Sequence, residues 1–127
     1  MPTPIEILRQ IATDLEAVTV VTTSRVGLEP AINPNDYPII RVVPSRLSHA
    51  EALPRRKLDV DIYYGAKVQA FAGMDAVYEA LLAMEQEIIT IMESGQGGYL
   101  ALFQETITDE DRLETYKLFV SRFLVQG

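Results

Sequence analysis

The sequence predicts an α+β fold: a mainly antiparallel sheet of about five strands, in the chain order α-β-β-β-α-β-β, with the helices packed on one face. Three observations carry this. Gly73–Met92 holds the longest helical pattern, and Arg56–Tyr64 alternates as a strand does. Two strand-like runs, Gly98–Ile107 and Leu113–Val125, then close the chain around the acidic turn Thr108-Asp109-Glu110-Asp111. The 127 residues fit one domain, 1–127, with no internal repeat, low-complexity tract or linker.

Thr3-Pro4-Ile5-Glu6 opens the first helix. Threonine caps, proline suits the first helical position, and Glu6 stands where a capping box places its acid. Ile5, Leu8, Ile11, Ala12 and Leu15 share a face opposite Arg9, Gln10, Thr13, Asp14 and Glu16. Val18–Thr23 is β-branched and reads as the first strand. Ser24–Pro38 carries Gly27, Pro30, Pro34 and Pro38, so a long loop follows, of a length that in small domains often meets a partner. Ile39–Val43 is a second short strand, stopped by Pro44, and Ser45–Pro54 is a polar loop with the sole histidine, His49. In Arg56–Tyr64, Leu58, Val60, Ile62 and Tyr64 point to one side and Lys57, Asp59, Asp61 and Tyr63 to the other.

The helix at Gly73–Met92 places Met74, Val77, Tyr78, Leu81, Leu82, Met84, Ile88, Ile89, Ile91 and Met92 over about half its circumference. That arc is wider than one sheet face needs, so cover from two sides is expected, the second from the first helix or a neighbouring subunit. Glu85 lies inside the arc. Either it reaches solvent at a rim or it is a paired charge at a subunit contact, because a buried carboxylate needs a partner or its proton. Gly95, Gly97 and Gly98 end the helix. The last strand is apolar on both sides, with Tyr116, Leu118, Val120 and Leu124 against Phe119, Phe123 and Val125. An antiparallel strand of this kind has both faces covered, and oligomerisation is one way to cover the second.

Composition narrows the function. Apolar residues make up 48% and charged residues 23%, as in folded globular proteins. No apolar run reaches the roughly 20 residues of a membrane span, and no signal peptide is visible at the N-terminus. The absence of cysteine excludes disulfides, thiol catalysis and thiolate metal ligation. A net charge of −7 argues against a protein that grips nucleic acid by its phosphates; it suits either plain solubility or a surface that avoids sticking to DNA.

The chain names no catalytic, cofactor-binding or metal-binding residue. Asp59-Val60-Asp61 has the Asp-x-Asp form of some metal sites, and both carboxylates would share one strand face, but no third ligand accompanies them. His49-Ala50-Glu51 reads as a solvated loop, with no Ser, Cys or second His to complete a triad. Ser94–Gly98 follows a helix, whereas a phosphate cradle must precede one. Arg55-Arg56-Lys57 is the one basic concentration, with Arg41 and Arg46 near in sequence; it is a surface patch or docks on an acidic patch such as Asp109-Glu110-Asp111 of a neighbouring subunit. Together with Glu85, Phe119 and Phe123, these residues are the subunit-contact candidates, and repeated head-to-tail contacts of this kind close rings.

With that element order in hand, the chain resembles the tail terminator (tail-completion, minor tail) proteins of long-tailed bacteriophages. The resemblance covers nearly the whole chain. It rests on IEILRQIATDLEAV, on the strand pair around IIRVVP and KLDVDIYYG, on AVYEALLAMEQEIITIM and on ALFQETITDEDRLETYKLFVSRFLV. It implies a non-enzymatic α+β protein without cofactors that forms a homo-oligomeric, hexameric ring. That ring caps the tail tube, ends its polymerisation and offers the surface the head joins. The partners it implies are the tail tube protein and a head–tail connector protein, with DNA passing unbound and no membrane. The place it implies is the virion tail, assembled in the bacterial host cytoplasm. Another neck component, or a small dimeric ligand-binding or regulatory domain, are the alternatives.

Overall fold

The computed structural model describes residues 3–29, 32–49, 56–68, 71–108 and 116–126, without the side chains of Ser48, His49 and Arg56. Helix α1 (Pro4–Asp14) starts as expected: Thr3 adopts an extended backbone and its hydroxyl accepts from the Glu6 amide at 3.4 Å. The helix is rotated slightly from the expected face. Ile7 joins Leu8, Ile11 and Ala12 in the core, while Ile5 is exposed. The pattern 7, 8, 11, 12, 15 satisfies the 3.6-residue period as well as one begun at residue 5 does.

The first strand differs from the expectation. Val18–Thr22 forms turns rather than a strand, and β1 is the four residues Thr23–Val26. Tertiary contacts override β propensity here. Val18 plugs the core just after a 3-10 turn at Leu15–Ala17, and Thr19 donates from its amide and hydroxyl to Glu87 at 3.1 and 2.6 Å. Strand β2 (Ile39–His49) runs on through Pro44 and takes in the first half of the expected loop. Its partner β1 ends opposite Val42, so the edge of β2 at Pro44 has no ladder bond for a missing N–H to break. The register shift between Pro44 and Arg46 is a bulge at the same point.

Strands β3 (Arg56–Lys67), β4 (Leu100–Thr108) and β5 (Tyr116–Gln126) complete a five-stranded sheet in the order β1-β2-β3-β5-β4. All neighbours are antiparallel except β1 and β2. A parallel neighbour demands a crossover of about a dozen residues. The segment 27–38 supplies it, and the helical element among its described residues is a 3-10 turn at Pro34–Asp36.

Helix α2 (Met74–Met92) begins at Gly73, whose φ of 128° only glycine adopts easily. Both helices lie on one face of the sheet, which makes the protein α+β as expected. α1 covers β1 and β2; α2 covers β3, β5 and β4. The core between them is built from Ile40 and Val42, from Leu58, Val60, Ile62, Tyr64 and Ala66, and from Phe119, Phe123 and Val125. On α2 only the narrow stripe Val77, Leu81, Met84, Ile88 and Met92 is fully buried. Ile89 and Ile91 pack partly against the core. Met74, Tyr78 and Leu82 stay exposed, so within one protomer the wide apolar arc is covered from one flank and open on the other.

Candidate functional site

The face of the sheet turned away from the helices holds the chemistry left to assign, and strand alternation decides its membership. Thr23 and Arg25 on β1, Ile39, Arg41 and Val43 on β2, and Asp59, Asp61, Tyr63 and Gly65 on β3 fall on it. So do Leu118, Val120, Arg122 and Leu124 on β5. The two halves of this face differ.

Over β1 and β2 the crossover folds down as a cover. Arg41 is fully buried, with Nε donating to Glu29 Oε2 at 2.8 Å and Nη1 to the Thr23 carbonyl and hydroxyl and the Ile40 carbonyl at 3.2, 3.0 and 2.9 Å. Burial alone would push the Glu29 carboxyl up, but the Arg41 hydrogen bond and the charges of Arg41 and Arg25 outweigh it and hold it below its ordinary range. Tyr37, at the end of the crossover, stacks on Tyr116 with ring centres 4.4 Å apart. Arg41, one of the residues near the basic run, is therefore an internal clamp on the crossover.

Over β4 and the C-terminal part of β5 no element covers this face among the described residues. Leu100, Leu102, Ile107 and Leu124 are 64, 58, 42 and 37% exposed. Leu102 stands opposite Leu124, and Leu100 opposite Gln126, which in turn stands opposite Lys57. Together these residues line a groove of about 280 Å³. Beside it runs a charged row in which Arg122 lies 3.4 Å from Asp61 and 3.7 Å from Glu105. Burial pushes the Asp61 carboxyl up despite the Arg122 guanidinium. Asp61 of the Asp-x-Asp pair thus already faces a cation supplied by the chain. Among the described residues no group of three or more His, Asp or Glu side chains could hold a metal, and no helix is long and apolar enough to cross a membrane.

The sequence-derived contact candidates divide into three groups. Phe119 and Phe123 are buried under α2, where Phe119 packs against Tyr64 and Tyr78 and Phe123 against Phe103. They belong to the protomer's own core and cannot meet a neighbour. The doubly apolar strand was read as covered on both sides; its inner row is covered, whereas in the outer row Tyr116, Leu118 and Val120 are half-buried and Leu124 is exposed. Lys57 and Glu85 are half-buried, one at the end of the leucine groove and the other on the open flank of α2. Arg55, Asp109, Glu110, Asp111 and the Arg56 side chain lie outside the described residues, as does the side chain of His49.

Sequence reasoning missed Leu100, Leu102 and Ile107. The signal was present, since LALF in β4 is apolar on both faces just as β5 is. Behind β5 on the helical side sits a polar chain of Tyr64, Ser121 and Thr106, with hydroxyl oxygens 2.9 and 2.7 Å apart. Burial, opposed by these bonds and reinforced by the nearby Glu85 charge, pushes the Tyr64 phenol up to about 12. No protein-family model matches this chain, and no curated protein matches it.

Proposed function

We propose that this protein is a structural subunit of a long-tailed phage or prophage, which forms a homo-oligomeric ring on the end of the tail tube, stops its growth and presents the surface to which the head joins. The observation that carries the assembly part of this reading is the uncovered part of the sheet face, where three large aliphatic side chains, Leu100, Leu102 and Leu124, face water side by side. Contiguous apolar surface of this kind marks a protein–protein contact. It lies beside the outer edge of β4, a nine-residue strand with no neighbour on that side among the described residues. The element order and the pattern of the helices and strands, which resemble those of tail terminators, supply the tail part. The acidic total suits a ring through which DNA passes without adhering.

The experiment joins mass and activity. Light scattering after gel filtration is expected to give a monomer or a hexamer for the free protein. Tail tube protein of a long-tailed phage, allowed to polymerise in its presence, is expected to give tubes with a density cap at one end in electron micrographs. A stable dimer that leaves tube growth untouched would overturn the proposal and favour the regulatory-domain alternative.

A further inference from the structure

We infer that neighbouring copies of this chain meet by laying the open flank of α2 from one protomer into the leucine groove of the next, with Glu85 of the first against Lys57 of the second. The inference rests on the ring reading and names its contact.

The flank is a ridge. Met74, Tyr78, Leu82 and Glu85 follow at spacings of four, four and three, which keeps them on one side of the helix. The three apolar members are 44, 37 and 47% exposed. Glu85 has no ion pair among the described residues, and the hydrogen bond it accepts comes from its neighbour Gln86 at 3.4 Å. α2 carries acidic residues and no basic one. The groove holds Leu100, Leu102 and Leu124, and Lys57 stands at its far end, beyond Gln126 in the row of Leu100; Lys57 likewise has no ion pair among the described residues. An apolar ridge that ends in a carboxylate thus faces an apolar groove with an ammonium at its far end.

Spacing agrees with charge. Tyr78 and Glu85 are separated by a helical rise of about 10 Å. Leu100, Gln126 and Lys57 form one row across β4, β5 and β3, and two strand spacings are also about 10 Å. A helix crossing the strands over this row puts Tyr78 on Leu100 and Glu85 on Lys57. Ridge and groove lie on opposite faces of one sheet, so they cannot meet within a protomer. A second copy brings them together in a head-to-tail contact, the kind that closes into a ring when its rotation permits.

The chain has no cysteine, so introduced thiols report the contact without background. Glu85→Cys and Lys57→Cys proteins, mixed at high concentration and oxidised, are expected to give the mixed disulfide dimer, and neither alone a comparable yield. A chain carrying both substitutions is expected to give a ladder of covalent oligomers. Glu85→Lys and Lys57→Glu should each weaken self-association about tenfold, and the two together should restore it. Absence of the mixed cross-link, prominent like-with-like cross-links, or no restoration in the charge-swapped chain overturns the contact. Rings that form without the cross-link sink this contact and leave the tail reading standing. A cross-link in a protein that never caps tail tubes does the reverse.

Discussion

The two faces of the sheet are built from similar residues and end in different environments. Toward the helices, Leu58, Val60, Ile62, Phe119, Phe123 and Val125 lose nearly all contact with water. Away from them, Leu100, Leu102 and Leu124 keep more than a third of theirs, though each belongs to the same strands or the next one over. Hydrophobicity along a strand says that both faces want cover; it does not say what provides it. Two helices suffice for one face, and the crossover clamped by Arg41 and Glu29 covers about half of the other. Among the described residues no element covers what remains exposed.

The comparison breaks most readily at Phe119 and Leu102. Phe119→Ala is expected to cost about 3–5 kcal/mol in urea unfolding of the protomer, since it empties a fully packed site beneath α2. Leu102→Ala should cost less than about 0.5 kcal/mol in the same measurement and act on association instead. Comparable losses at the two positions would mean that the outer face is packed too. A loss smaller than that at Phe119 but larger than that at Leu102 is expected at Gly65, on the outer face but within its covered region. A Cβ there would press on Leu118 and lie 2.7 Å from the Lys117 carbonyl, so Gly65→Ala must push β3 from β5, at about 1–3 kcal/mol. No loss at Gly65 would show a looser sheet than the register implies.

These residues also show how far the sequence could be read. The 3.6-residue pattern of α2 and the alternation of Leu58 to Tyr64 are local, and both elements stand where they were expected. Val18–Thr22 is as β-branched as any strand, yet the bonds from Thr19 to Glu87, far along the chain, hold it as turns. Pro44 looked like a strand end because the sequence does not reveal that β1 stops at Val42 and leaves that edge unpaired. For the candidate site, alternation gave the two rows of β5 correctly, with Phe119 and Phe123 in one and Leu124 in the other. Which row meets the helices depends on the side from which α2 returns, a property of the whole topology. Glu85 stood out as a charge inside an apolar arc and Lys57 as the end of the basic run, and the side of its element that each occupies was legible because helical period and strand alternation are both local.

The smallest effects separate the two charged sites of the outer face. Glu29→Gln should cost about 1 kcal/mol at neutral pH, at the low end for a charged hydrogen bond because a third of the Glu29 side chain meets water. The folded protein holds this carboxyl below its ordinary 4.5, so its contribution is complete above that value and disappears as pH falls through the lowered one. The Gln variant should lack that part of the acid-side slope. Asp61 runs the other way. Its carboxyl is raised above 3.8 by burial, so the charged form is disfavoured on folding, and stability declines as pH climbs from 3.8 through the raised value. Asp61→Asn should therefore raise stability at pH 7, by less than about 1 kcal/mol, with the gain vanishing below 3.8. Urea unfolding of both variants at pH 3.5, 5 and 7 checks the two signs together. If Asp61→Asn instead loses stability at pH 7 and recovers it in acid, the Arg122 pair outweighs burial, and the uncovered half-face is held together by its charged row as the covered half is by Arg41.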